Sequence, residues 1–262
     1  MISNRDGINY NLLSDGYDKR YDYNDHPEIT LAINNLIPAN NCVSVLEAGA
    51  GTCHWLKNIR NKNVERFGID ISLQMLLKAD KNSHKLNLVN GDAQLLPFKR
   101  ESFDMIFCVN ALHYFRNKSK FFAEAFSALR GNGLLAIYTF DPRTKGDHWY
   151  IYDYFEGVYE FDLQRFLSVD EIGKQLTENG FENIQINKTE FISDDKTPDN
   201  IFNDPFLEKG GSSQTAMLSG KEYERGMEKI KNEIKEAASN GKELIFPVRL
   251  TMFEITGRKP KH

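Results

Sequence analysis

From Val43 onward, short apolar runs alternate with segments of helical period, which is the pattern of parallel strands joined by helical crossovers. It predicts strands at Val43–Ala48, Arg66–Ile69, Asn87–Asn90, Phe103–Val109 and Gly133–Phe140 with helices between them, then two more at Asn183–Glu190 and Leu244–Thr256. Local signals support these assignments. Ser72 is placed to cap a helix that carries Leu73, Leu76 and Leu77 on one side. Phe121, Phe122, Ala125, Phe126 and Leu129 form an apolar stripe that stops at Gly131 and Gly133, where a helix C-cap is expected. Ser168 to Glu171 has the spacing of a capping box, opening a helix that ends at Asn179-Gly180.

Two regions stand outside this rhythm. Met1 to Ile37 is polar and tyrosine-rich and predicts one or two helices ahead of the sheet. Ser193 to Lys242 includes a charged helical segment, Lys221 to Ala238, and separates the last two strands. It is too long for a hairpin and reads as an inserted cap or a mobile loop. The expected organisation is an N-terminal helical lid over residues 1–42 and an α/β domain over 43–262, with substrate-cap segments at 141–167 and 193–242.

Composition narrows the partners. With 262 residues and 40% hydrophobic positions the chain can bury a core. Its 33 basic against 37 acidic residues leave no positive field for a phosphate backbone, so nucleic acid is not expected as a substrate. No run approaches the roughly 18 apolar residues of a membrane span, and the polar start lacks a signal-peptide centre; a cytoplasmic protein is expected. Cys42, Cys53 and Cys108 form no CxxC pair and fit a reducing compartment.

The chemistry concentrates at predicted strand ends. Val45-Leu46-Glu47-Ala48-Gly49-Ala50-Gly51-Thr52 runs from an apolar strand into a glycine turn, where backbone can approach a ligand at the carboxyl edge of the sheet. A third glycine would complete a dinucleotide fingerprint, but that position is His54. Glu47, two residues before the first glycine, suits an amino group better than a phosphate. Asp70, in Gly68-Ile69-Asp70-Ile71-Ser72, lies at about the 20-residue interval of a ribose-binding acid. Asp92, in Asn90-Gly91-Asp92-Ala93, ends the third strand, where an adenine amino group could donate to it; Asn110 follows the fourth. Each has a structural alternative: a ligand-free tight turn for the glycines, a favourable helix N-terminal charge for Asp70, an ordinary turn acid for Asp92.

In their order, Glu47-Ala-Gly-Ala-Gly, Gly68-Ile-Asp-Ile-Ser, Gly91-Asp-Ala, Phe103-Asp-Met-Ile-Phe and Ala128-Leu-Arg-Gly-Asn-Gly resemble the class I S-adenosylmethionine-dependent methyltransferases, in particular the group acting on small molecules. The resemblance runs from about Val43 to Phe140 and more loosely through the last two strands. It implies a Rossmann-like three-layer α/β sandwich whose seven-stranded, mostly parallel sheet has one antiparallel strand near its edge, here Leu244–Thr256. It implies S-adenosyl-L-methionine as cofactor and S-adenosyl-L-homocysteine as product. Glu47 and the Gly49–Gly51 turn would meet the methionine part, Asp70 the ribose, Asp92 and Ala93 the adenine, and Asn110 the region beside the methionyl group, with Ala48 and Ile71 also among the cofactor-binding residues. No metal is implied.

Around the expected acceptor site the residues admit more than one role. His113 in Ala111-Leu112-His113-Tyr114-Phe115 stands where a general base would deprotonate a hydroxyl, or it is a structural loop histidine. Tyr114 and the aromatic run containing Trp149, Tyr150 and Tyr154 suit a substrate wall, and equally the packing of a cap. Tyr10, Tyr17, Arg20 and Tyr21 could fold over the cofactor as a lid, with Tyr21 touching it, or pack at the surface. The expected reaction is direct in-line methyl displacement at oxygen or nitrogen of a small molecule. Its rivals are an NAD-dependent oxidoreductase and a cofactor-binding module without catalysis. The chain lacks Asn-Pro-Pro-Tyr, Asp-Pro-Pro-Tyr and a Pro-Cys nucleophile, which removes the base-modifying branches.

Overall fold

The structure, a computed structural model, describes residues 19–79 and 86–261. Tyr10 and Tyr17 lie outside the described residues. In chain order the elements are helices α1 (Lys19–Tyr23) and α2 (Pro27–Ala39), strand β1 (Ser44–Ala48), α3 (His54–Lys57), β2 (Glu65–Asp70), α4 (Leu73–Lys78), β3 (Leu86–Asn90), β4 (Phe103–Val109), α5 (Lys118–Ala128) and β5 (Leu129–Phe140). There follow β6 (His148–Trp149), α6 (Ile151–Tyr154), α7 (Val158–Arg165), α8 (Val169–Glu178), β7 (Glu182–Ser193), α9 (Ser213–Ala216), α10 (Gly220–Ser239) and β8 (Val248–Arg258). Among the described residues two compact units emerge: a larger one of 26–79, 86–141, Phe166–Glu190 and 252–261, and a smaller one of 19–25, Pro142–Arg165 and Phe191–Thr251.

The larger unit holds the α/β layers. Its strands run β3-β2-β1-β4-β5-β8, with β7 also on β8. β1 to β5 are mutually parallel, and β8 is antiparallel to β5 from Leu134↔Arg258 to Phe140↔Met252. Every residue of β1 is buried, as a central strand covered on both faces requires. On one face Phe121, Phe122 and Ala125 of α5 and Ile172 and Leu176 of α8 pack with Phe103, Ile106, Leu135, Ile137 and Ile255 from the strands. The helices start where the sequence caps them. Ser72 accepts from the Met75 N–H, and Ser168 and Glu171 form a reciprocal capping box. Asp104 fastens the base of the sheet, since its Oδ2 accepts the Val43 and Ser44 N–H groups and its Oδ1 accepts from Arg130.

Several details depart from the sequence expectation. Among the described residues the sheet has eight strands, not seven: His148–Trp149 adds a short antiparallel pairing to Arg249 and Val248. β8 itself is antiparallel and near the edge as expected, between β5 and the pairings to β6 and β7. No cap forms at Gly131 and Gly133. α5 ends at Ala128 and β5 begins at once, because Leu129 is buried and pairs with Phe103 through an irregular register. No helix joins β3 to β4; Gly91, Asp92 and Pro97 keep residues 91–102 in turns.

The smaller unit has its own core, built from Trp149, Tyr150, Ile151, Tyr154, Phe155, Val158, Ile201, Leu207, Leu218, Ile230, Phe246 and Val248. α10, the long charged helix, is opened by a Ser219–Glu222 capping box and buries Gly226 and Ile230. A Cβ at Gly226 would fall 2.3 Å from the Phe155 ring, so the missing side chain sets this approach. α1 is tied down by Arg20, whose Nη2 donates to the Gly211 carbonyl at 2.9 Å, and by Lys196 stacking on the Tyr23 ring at 4.1 Å. Among the described residues no helix is long and apolar enough to cross a membrane.

Candidate functional site

Four parallel strands of the larger unit end side by side, and their tips carry most of the residues singled out above. Ala48 pairs with Ile69, Glu47 with Phe107 and Asp70 with Asn90, so the ends of β1, β2, β3 and β4 share one edge. After β1 the chain turns through Gly49 at φ 75° and Gly51 at φ 52°, a region that glycine enters without steric cost. The Gly49 and Ala50 N–H groups both donate to the Ile69 carbonyl. A Cβ on Gly49 would lie 2.4 Å from the Ala111 Cβ, so the turn is pressed against the end of β4. A Cβ on Gly51 would meet nothing within 4 Å, so at this point the backbone faces open space.

Asp70 locks the turn. Its Oδ2 accepts the Gly51 N–H at 2.8 Å and its Oδ1 the Ser72 N–H at 2.8 Å, joining the glycine turn to the start of α4. Burial raises its pKa, against the lowering effect of those two N–H groups. Asn90, to which the sequence reading gave no role, buttresses the same loop: its Nδ2 donates to the Asp70 and Ile71 carbonyls at 3.0 Å each. An amide directly before Gly-Asp at a strand end was the available signal. Ile71 leaves 68% of its surface exposed, an apolar face beside the Asp70 carboxylate. Asp92 spends its Oδ1 on the main-chain and side-chain N–H groups of Gln94, at 2.8 Å each. Ala48 and Ala93 are buried, so their side chains serve the core.

The electrostatic centre of this edge is Glu47, 1% exposed at the end of β1. Burial pushes its carboxyl well above the usual carboxylate range; the Leu56 N–H opposes the shift and the neighbouring Asp70 charge adds to it. One oxygen, Oε2, has no hydrogen-bond partner among the described residues. The same holds for the buried Oδ1 of Asn110, which follows β4 with a left-handed backbone at φ 47°. Two unmatched buried acceptors at adjacent strand ends are costly in an empty fold and point to a donor supplied from outside.

His113 sits just beyond, in a one-turn helix from Leu112 to Tyr114. It is buried, with its ring stacked on Phe166 at 4.0 Å and against Tyr114 at 3.8 Å. Tyr21, Trp149, Tyr150 and Tyr154 belong to the smaller unit. There Trp149, Tyr150 and Tyr154 are core residues, and the Tyr150 and Tyr154 hydroxyls donate to Asp204 and Glu233.

Residues 46–137, which span this edge, match the methyltransferase domain family. An uncharacterized protein of Methanocaldococcus jannaschii is 30% identical over 198 residues, covering 71% of this chain and 87% of that protein. The chain belongs to the class I S-adenosylmethionine-dependent methyltransferases. The demethylmenaquinone methyltransferase of Thermotoga maritima is another relative, 28% identical over 168 residues, or 56% of this chain and 73% of that one. Among solved structures, a methyltransferase from an antibiotic biosynthesis pathway of Anabaena variabilis shares the fold: TM-score 0.64 at 22% identity, over 86% of this chain and 96% of that one.

The strand tips fit the cofactor of this methyltransferase family. Its methionine end carries a cationic amino group, the donor that Glu47 Oε2 and Asn110 Oδ1 lack. The bare backbone at Gly51 leaves room for close approach, and the exposed side chain of Ile71 offers an apolar surface of the kind a base plane covers. The carboxylate oxygens of Asp70 each keep a second lone pair beyond the one used by backbone.

Proposed function

We propose that the protein transfers a methyl group from S-adenosylmethionine to oxygen or nitrogen of a small-molecule acceptor. Glu47 and Asn110 hold the amino group, the Gly49–Gly51 turn the methionine part, Asp70 the ribose hydroxyls, Ile71 the base plane, and Asp92 with the Ala93 backbone the adenine edge. The observation that carries this reading is the pair of buried, unmatched acceptors Glu47 Oε2 and Asn110 Oδ1. When bound, the cofactor would supply a methyl carbon activated by a positive sulfonium; the acceptor's lone pair would bond to that carbon in line as the carbon–sulfur bond breaks and S-adenosylhomocysteine leaves. The chain's own work is to position and desolvate. A hydroxyl acceptor needs a base, and His113, beside the Asn110 tip, is the residue proposed for it; an ionised acceptor needs none.

Support for a small acceptor comes from the Thermotoga maritima relative, whose name gives demethylmenaquinone as its substrate. The test is a panel of small phenols, amines and carboxylic acids incubated with the protein and labelled S-adenosylmethionine. Label transferred to any panel member supports the reading. Cofactor binding without label transfer to any of them, or to small molecules of a cell extract, leaves a binding module and overturns it.

A further inference from the structure

Within the smaller unit lies a cavity of about 570 Å³ that shares no residue with the strand-tip site. Three aromatic rings line it: Trp149 and Tyr152 meet edge to face at 5.5 Å, and Tyr152 and Tyr159 at 5.1 Å. Trp149 and Tyr152 are held in place. Trp149 is buried against Phe206, and the Tyr152 hydroxyl donates to Asp162, a fully buried carboxylate that also accepts from Arg165 and Gln214. Four carboxylates, Asp147, Asp153, Glu156 and Glu160, share the lining with two formal cations, Arg143 and Lys229.

The four acids are not equivalent. Asp147 accepts from the Thr251 N–H and hydroxyl, and Asp153 pairs with His148 at 2.8 Å. Arg143 donates to the Leu163 carbonyl. Glu156 and Glu160 have no hydrogen-bond or ion-pair partner among the described residues, and both are exposed at the rim. Fixed aromatic faces with surplus carboxylates around them favour a cation that carries apolar substituents, because the ring quadrupole and the carboxylates attract the charge together while the rings cover the carbon. A metal ion fits poorly: among the described residues no three His, Cys, Asp or Glu side chains converge to hold one.

We infer that this cavity is a binding site for an organic ammonium ion, a protonated or alkylated amine seated on Trp149, Tyr152 and Tyr159 with Glu156 and Glu160 at its mouth. The inference is independent of the methyl-transfer reading and is tested without cofactor. In the Trp55→Phe protein, Trp149 is the remaining tryptophan, so its fluorescence reports on the cavity. The probes are choline and its uncharged isostere 3,3-dimethylbutan-1-ol, titrated into the full chain. The expected result is a saturable change with choline and at least ~tenfold weaker binding of the isostere, the scale of a desolvated cation–π contact. The Glu156→Gln/Glu160→Gln double variant, which alters two exposed side chains and leaves the core intact, should weaken choline while its melting temperature stays unchanged. No saturable response to choline, equal binding of the uncharged isostere, or full affinity in the double variant would each overturn the inference.

Discussion

Replacing Glu47 by Gln keeps the shape of the side chain and removes its charge. In the unliganded fold the carboxyl is buried with Oε2 unmatched, and burial already favours its protonated form. Losing the charge therefore costs the empty protein nothing, and E47Q should melt at or above the wild-type temperature. Cofactor binding moves the other way. A hydrogen bond to a charged group contributes about 1.5–3 kcal/mol, so losing the Glu47 contact to the amino group should weaken S-adenosylhomocysteine roughly 10- to 150-fold. The pH dependence follows with a definite sign. From about pH 4.3, the ordinary glutamate value, up to its raised value, the folded chain holds a proton that the unfolded chain has released. The unliganded fold should lose stability as pH rises through that window, at about 1.4 kcal/mol per pH unit, and Asp70 pushes the same way. Cofactor affinity should rise with pH over the same window, because the bound ammonium favours the ionised carboxylate. Calorimetric titration across pH, with denaturant melts of both proteins, reads all three effects. An E47Q protein that binds like wild type, melts several degrees lower, or keeps the wild-type pH profile would refute the reasoning.

Other substitutions separate binding from scaffolding. Gly49→Ala drives a Cβ into Ala111 from a left-handed backbone and should cost about 2–4 kcal/mol in urea melts, against about 1 kcal/mol for Gly51→Ala, which faces open space. Equal losses for the two would contradict the packing described for the turn. Asp70→Ala should weaken cofactor binding at least ~tenfold and also loosen the glycine turn, since two backbone N–H groups lose their acceptor. Faster amide exchange at Gly51 and Ser72 is the signature, and unchanged exchange with unchanged affinity would remove Asp70 from both roles. His113→Ala should lower the methylation rate while cofactor affinity holds; an undiminished rate would reject His113 as the base.

Much of the larger unit was legible in the sequence because its central strands are short, mostly apolar runs that end at Gly49, Asp70 or Asn110. β1, β2 and β4 were each placed within a residue or two. The errors have local causes. Leu129 fits the stripe of α5 as well as it fits a strand, and only its pairing with Phe103 decides between them. A two-residue strand such as His148–Trp149 has no period to detect. At the site, the sequence displays Glu47, Gly49, Gly51, Asp70 and Asn110, but not their condition. That Glu47 and Asn110 end as buried, unmatched acceptors depends on the neighbouring strands closing around them. The bond from the Gly51 N–H to Asp70 and the bracing by Asn90 exist only once β1, β2 and β3 align.

The most direct test is a crystal structure with S-adenosylhomocysteine. The ligand's amino nitrogen should lie within about 2.7–3.2 Å of both Glu47 Oε2 and Asn110 Oδ1, with the ribose hydroxyls on Asp70. An amino group bound elsewhere, with both acceptors still unmatched, would contradict the assignment of these strand tips.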